Sequence, residues 1–474
     1  MLYIHWIFLL LYVVVIGAVM IAIVTDDRQP AKTMAWLLVL WFLPVVGIIL
    51  YIFFGQNIRK HQLISSRSMD QLTKRSMLEY VEQRNLHLPE NQRPLMHLFA
   101  AQSNALPFKD NEIEIYTSGY EFFPALLKAI STAKDHIHLD TFIFADDALG
   151  YLIADALIDK AEEGVEVRVL YDDMGSWHVK SAFFERMRDA GIEVHAFMPV
   201  KFPAFTSKAN YRNHRKLCVV DGRIGFIGGM NIALRYVKGT GTQPWRDTHL
   251  KVVGGGVYGI QRAFLIDWYF CDRTLLTQHH YYPDVDGKIC NDCLMQVVTS
   301  SPISPWPEIM QGYVSVILQA RKYVYIETPY FLPTEPVLFA LSTAALTGVD
   351  VRIMVPMHND SKIVGWASMS YVSQVSKAGV KVYLYKSGFN HSKLMVVDDL
   401  LSTCGSTNVD VRSFEHNFES NAFIYDKTMA ERMSRVFVDD QQQCVPLEQV
   451  RDINRQPFFQ KLWESIVRLL SPLL

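Results

Sequence analysis

Two long apolar runs open the chain. Leu2–Val24 is apolar apart from His5, and 34–54 is interrupted only by Pro44 and Gly47. Each is long enough to cross a hydrocarbon core of about 30 Å at about 1.5 Å per residue. A backbone in lipid must satisfy its own hydrogen bonds, so the pattern predicts two transmembrane helices, 2–24 and 34–54, in a membrane region 1–57. Trp6 and Trp36 lie near run ends, where aromatic rings favour the interface. The first run lacks the basic start and small-residue cleavage site of a signal peptide. Arg28 and Lys32 lie between the runs with Asp26 and Asp27, whereas Arg59, Lys60, Arg67, Lys74 and Arg75 follow the second. The positive-inside rule then predicts a cytoplasmic location for the rest of the chain and, with two spans, for the N-terminus.

Beyond 58–110, read as a linker, short β-rich runs alternate with helical spacing. The pattern predicts a helix at 125–133, a strand at 137–144, a helix at 152–161 and a strand at 165–171. The order recurs from Val314, with a strand over Tyr323–Glu327, a helix at 337–346 and a strand at 349–355. Ala133-Lys-Asp-His-Ile-His-Leu-Asp-Thr matches Ala320-Arg-Lys-Tyr-Val-Tyr-Ile-Glu-Thr. The expected fold class is α/β with mostly parallel sheets. The expected plan is a duplicated domain, 111–293 and 294–474, packed about a pseudo-twofold axis.

Each copy ends on one polar signature. The first is His214-Arg-Lys216-Leu-Cys-Val-Val-Asp221, then Gly228-Gly229-Met-Asn231. The second is His391-Ser-Lys393-Leu-Met-Val-Val-Asp398, then Gly405-Ser406-Thr-Asn408. Residues i and i+2 of a strand share a face, so His214 projects with Lys216 and His391 with Lys393. If the copies meet at the axis, two imidazoles and two ammoniums face one site. A neutral imidazole there can attack phosphorus, and a protonated one can donate to a leaving alcohol. The lysines, with Asn231, Ser406 and Asn408, can hold the non-bridging oxygens. No metal or other cofactor is required, and the near-symmetric motifs do not order the histidines.

Asp221 and Asp398 complete the motifs and stand with the catalytic set. Their strand parity is opposite to that of the His and Lys, which favours a structural role, bonding backbone at the strand end. Each imidazole also needs an orienting acceptor. The candidates are Asp247 in Trp245-Arg-Asp-Thr-His249 and Glu419 in Phe418-Glu-Ser-Asn421, with Glu415 a rival to Glu419. Asp140 and Glu327 also match between copies and read as structural.

Composition narrows the class. With 50% hydrophobic residues the chain has material for sizeable cores, and a net charge of −2 argues against a nucleic-acid partner. Neither a GxxxxGK[ST] loop nor a strand-associated GxGxxG occurs. Six cysteines make no disulfide framework, and Cys290-Asn-Asp-Cys293, after Cys271, His279 and His280, lacks full metal-ligand spacing. The segment from Phe197 to Phe205, with Met198, Pro199, Phe202 and Pro203, reads as an acyl-chain path or a buried loop. The amphipathic tail 457–474 reads as an interfacial helix or one docked on the core.

The paired motifs resemble the phospholipase D superfamily. With Ala35-Trp-Leu-Leu-Val-Leu-Trp-Phe-Leu-Pro-Val-Val-Gly47 and the Ser471-Pro-Leu-Leu474 ending, the chain resembles its bacterial cardiolipin synthase branch. The resemblance implies reversible phosphatidyl transfer between two phosphatidylglycerol molecules, giving cardiolipin and glycerol. It implies His214 as a nucleophile forming a phosphohistidine, His391 as general acid, and a multi-pass place in the bacterial inner membrane. The alternative is a membrane-bound phospholipase D that releases phosphatidic acid.

Overall fold

The computed structural model describes residues 2–25, 30–51, 55, 88–200, 210–241, 243–284, 289–452 and 455–472. It opens with helices α1 (Leu2–Val24), α2 (Pro30–Phe42) and α3 (Pro44–Leu50). The second apolar run is therefore not one continuous helix. Leu43 leaves the helical region at φ −134° and ψ 63°, and Pro44 begins a new helix where its missing N–H is no loss. α3 folds back along α2, with the Trp36 and Tyr51 rings 5.5 Å apart. A Cβ on Gly47 would lie 3.0 Å from the Val39 carbonyl oxygen and 3.2 Å from the Leu40 Cα, so glycine suits this close approach. Side chains are described for only part of α1, and among the described residues no helix is long and apolar enough to cross a membrane.

The first half contains β1 (Asn111–Tyr116), β2 (His136–Thr141), β3 (Glu166–Asp172), β4 (Glu193–Phe197), β5 (Arg212–Asn213), β6 (Lys216–Val220), β7 (Ile224–Gly228), β8 (Trp245–Arg246) and β9 (His249–Gly254). The second contains β10 (Leu294–Ser300), β11 (Tyr323–Glu327), β12 (Phe331–Leu332), β13 (Asp350–Pro356), β14 (Lys381–Tyr385), β15 (Phe389–Asn390), β16 (Leu394–Val397), β17 (Leu401–Gly405), β18 (Val409–Asp410), β19 (Asn417–Tyr425) and β20 (Cys444–Pro446). The sheet orders match. The first runs β1-β9-β7-β6-β2-β3-β4 and the second β10-β19-β17-β16-β11-β13-β14, with β20 added at its edge.

The expectation of mostly parallel sheets is corrected: both sheets are mixed. In each, the parallel pairs join β2, β3 and β4 or β11, β13 and β14, and apart from the short β5–β19 pair the remaining pairs are antiparallel. The cause is a tight turn after each motif strand. Asp221-Gly222 (φ 54° and 61°) and Asp398-Asp399 (φ 56° and 54°) give the primed turn that suits a twisted hairpin, so β6 doubles back into β7 and β16 into β17.

Helices cover the outer sheet faces. Asp147 starts the helix Ala148–Glu162 by accepting from the amides of Leu149 and Gly150, leaving Ile153 and Leu157 to face the sheet. The inner faces meet each other. Leu217, Val219 and Ile227 of the first half share one core with Val396, Cys404 and Ala422 of the second.

Part of the stretch read as a linker belongs to the second half. Helix α4 (Arg93–Ser103) inserts Leu95, Met96 and Phe99 into its core, with Phe99 4.6 Å from the Phe423 ring. Gln296 Nε2 donates to the carbonyls of Met96 and Ala105 at 3.1 and 2.7 Å. The tail helix Phe458–Arg468 docks on the helix Lys362–Ser376, where Trp463 meets Trp366 edge-on, yet it leaves Phe458 and Phe459 exposed. Phe197 and Met198 are buried with Tyr211 and Phe418, while Phe202, Pro203 and Phe205 lie outside the described residues.

Candidate active site

Two short cross-connections between the halves build the site. β5 pairs in parallel with the start of β19, and β8 pairs in parallel with β15. Each ends beside a motif histidine. The His214 amide donates to the Phe418 carbonyl at 2.9 Å, and the His391 amide to the Arg246 carbonyl at 2.7 Å. The next residue on the partner strand supplies a carboxylate to the imidazole. His214 Nδ1 lies 3.0 Å from Glu419 Oε1, and His391 Nδ1 lies 2.7 Å from Asp247 Oδ2. Each carboxylate thus serves the histidine of the opposite half. Glu415, the rival to Glu419, pairs instead with Lys32.

A carboxylate only accepts, so beside Glu419 the His214 Nδ1 carries the proton and its Nε2 presents a lone pair. His391 Nδ1 lies 2.7 Å from Asp247 Oδ2 and also 2.8 Å from Lys393 Nζ, and the Asp247 contact favours the same tautomer there. Both imidazoles line one cavity of about 640 Å³, along with Asn231 and Asn408. Burial, reinforced by the nearby lysines against the opposing carboxylates, lowers His214 to about 4 and His391 to about 3. Both are therefore neutral at neutral pH. Burial acts on the carboxylates in the opposite direction. It pushes Glu419 up, but His214 and Lys216 outweigh it, and the net shift is downward. Asp247 likewise ends low because Lys393 and His391 outweigh its burial.

The lysines sit behind the rings. Lys216 Nζ donates to the His214 carbonyl and Lys393 Nζ to that of His391. Both lysines are almost fully buried, and burial brings Lys216 down to about 7. An anionic phosphodiester entering the cavity would stabilise both ammoniums and favour a proton on an imidazole. Aromatic rings border the histidines, with Phe142 5.1 Å from His214 and Trp245 5.4 Å from His391. Such walls limit water and strengthen the electrostatics inside.

The other sequence candidates divide. Ser406 Oγ donates to Glu419 and so braces the orienting carboxylate. Asn231 accepts the Ile143 amide at 3.1 Å and donates to the Tyr236 hydroxyl. Asp221 and Asp398 are not among the residues lining the cavity. Asp221 accepts the amides of Lys134, Asp135 and His136, and Asp398 those of Arg321, Lys322 and Tyr323. They sit at the far end of the motif strand from the histidine, clamping the start of the neighbouring strand. Among the described residues, Asp135, His136 and His280 bring ligand atoms within 4.8 Å of one another, and Cys290 and Cys293 take no part in that cluster.

Sequence reasoning missed Asn213 and Asn390. Each accepts from the amide two residues on, Arg215 at 3.1 Å and Ser392 at 2.9 Å, and so fixes the bend at the histidine. Asp140 and Glu327 hold these asparagines at 2.8 and 3.1 Å. The signal was available, because Asn precedes His in both copies.

Known proteins match this arrangement. The family described as cardiolipin synthase, PLD-like domain, matches residues 126–240 and 313–441, and the phospholipase D-nuclease N-terminal family matches 6–56. The major cardiolipin synthase ClsA of Bacillus subtilis is 40% identical, with 98% of each chain covered. A cardiolipin synthase of Listeria monocytogenes is 37% identical over 98% of this chain and 99% of its own. The phosphatidylserine synthase of Haemophilus influenzae shares the fold at a TM-score of 0.63 and 19% identity, over 81% of this chain and all of that one. Twin His-Lys motifs in a duplicated fold, and full-length similarity to these enzymes, place the chain in the phospholipase D-like cardiolipin synthase family.

Proposed function

We propose that this protein is a membrane-associated cardiolipin synthase that transfers a phosphatidyl group between two phosphatidylglycerol molecules. The observation that carries the reading is the pair of imidazoles lining one cavity, each with its Nδ1 proton held by a carboxylate. His214 Nε2 attacks the phosphorus of the first lipid, its assignment as nucleophile following the family resemblance. The bond to the glycerol oxygen breaks, and His391, protonated on Nε2, gives its proton to that oxygen. Lys216 and Lys393 offset the charge that builds on the non-bridging oxygens. A hydroxyl of the second phosphatidylglycerol then attacks the phosphohistidine and its proton passes to His391. The P–N bond breaks and cardiolipin leaves. One phosphodiester replaces another, so no nucleotide is consumed. The apolar N-terminal helices hold this site at its lipid, with α1 crossing the bilayer.

The test supplies the full-length protein with phosphatidylglycerol vesicles in EDTA and identifies products by mass spectrometry. Cardiolipin with free glycerol is expected, and both products should disappear in His214→Ala and in His391→Ala. Phosphatidic acid as the sole lipid product would overturn the transferase reading. Rapid quenching and peptide mapping should find the phosphoryl group on His214.

A further inference from the structure

We propose that α2 and α3 form a re-entrant hairpin that enters and leaves the bilayer on the face occupied by the catalytic halves. The proposal builds on the membrane anchoring inferred above. α1 then carries the chain across, and the N-terminus lies on the opposite face.

The first support is the fold-back itself. Trp36 meets Tyr51, and Leu40 meets Gly47, which is the pairing of an antiparallel hairpin bent at Leu43. Over the described residues, neither α2 nor α3 is long enough to span alone. At about 1.5 Å per residue, the 13 residues of α2 reach about 20 Å and the 7 of α3 about 10 Å, against a core of about 30 Å.

The bend satisfies part of its backbone internally. Exposed backbone donors are what hydrocarbon rejects. Here the Leu43 amide donates to the Val39 carbonyl, the Gly47 amide donates to the Leu43 carbonyl, and Pro44 has no N–H to satisfy. The tip carries Trp41, Phe42 and Leu43, at 73, 74 and 53% exposure, an apolar group suited to acyl chains and costly in water.

The base of the hairpin is tied to the catalytic part. Lys32, at the start of α2, reaches Glu415 of the second half at 2.7 Å. An exposed pair like this adds little stability. As a distance, however, it decides the topology. If α2 and α3 crossed the membrane, Lys32 would lie about 30 Å or more from Glu415, on the far face.

Charge agrees. In the re-entrant arrangement Arg28, Lys32, Arg59 and Lys60 all lie on one face, and residues 1–6 on the other carry no Lys or Arg. Two crossings would put Arg28 and Lys32 on the face opposite Arg59 and Lys60, a smaller asymmetry than the hairpin gives.

The test uses full-length protein in right-side-out and inverted membrane vesicles with an impermeant maleimide. Native Cys290, which is exposed, marks the catalytic face. Thr25→Cys marks the connection between α1 and α2, and a protease-sensitive N-terminal tag marks the start of the chain. Thr25→Cys and Cys290 are expected to label in the same vesicle orientation, with the tag cleaved in the other. Labelling of Thr25→Cys on the face of the tag overturns the hairpin, and so does finding all three sites on one face. Cardiolipin synthesis measured in the same vesicles separates loss of this topology from loss of the enzymatic reading. As a second check, Lys32→Cys with Glu415→Cys, in a Cys290→Ser background, should be joined by a short bis-maleimide that spans the gap the two long side chains now bridge. An active double variant that this reagent never joins also overturns the hairpin.

Discussion

Glu419, in the second half, accepts the Nδ1 proton of His214, in the first, at 3.0 Å. The carboxylate fixes the tautomer that leaves Nε2 free to attack. Glu419→Gln should therefore lower kcat by about 10³ to 10⁴-fold, as loss of an orienting carboxylate does in related triads. Asp247→Asn should do the same through His391. Initial rates on phosphatidylglycerol vesicles, with melting temperatures as a folding control, test this; unchanged kcat in either variant would remove that carboxylate from the mechanism.

Asp221→Ala should act on stability rather than on chemistry. Three backbone amides lose their acceptor. A loss of about 2 kcal/mol is expected from hydrogen bonds to a charged group of this exposure. The melting temperature should fall while the rate per folded molecule is kept. A normal melting temperature with a collapsed kcat would return Asp221 to the catalytic set.

Acid should weaken the fold and the activity together. Burial puts His214 at about 4 in the folded state, below the unperturbed value of about 6.5. Between those values the unfolded chain binds more protons, so stability falls as pH drops through that window. In the free enzyme, kcat/KM should fall on the acid side near pH 4 as Nε2 is protonated. It should fall on the alkaline side above about 7, as Lys216 loses its charge. Whatever activity Lys216→Arg retains should show the alkaline limb moved upward, because guanidinium stays charged. An alkaline limb unmoved in that variant would assign it to another group.

Gly229→Ala should disable His391 without touching it. A Cβ at Gly229 would collide with Asp247 Oδ1 and displace the carboxylate. A fall in kcat of about 10²-fold is expected from a misplacement on the order of 1 Å, with KM little changed. Wild-type kinetics would mean that Asp247 can shift at no cost.

What could be read from the sequence was local and repeated. The apolar anchors and the doubled order of elements follow from periodicity, and the structure keeps them; His214, His391 and Lys393 lie just before β6 and β16, so the placing of His and Lys on one strand is corrected. The pairing of Asp247 with His391 and of Glu419 with His214 has no local signal, since it arises only when two distant halves pack. The antiparallel hairpins did have a signal, in Asp221-Gly222, but alternation of strands and helices outweighed it. The helix α4 was written in the spacing of Leu95, Met96 and Phe99 and went unread beside its polar surroundings. Pro44 and Gly47 were seen as interruptions of a span. Their meaning, a break and a close approach, appears only once Trp36 and Tyr51 are in contact.

The crosswise carboxylates also bear on how the chain is made. During synthesis, the first half brings His214, Lys216 and Asn231, but its imidazole gains its carboxylate only once residues 417–419 have followed and β19 has docked on β5. A first half without residues 417–419 lacks the acceptor that orients His214. The orienting contact is thus completed last, by the connectivity of the chain.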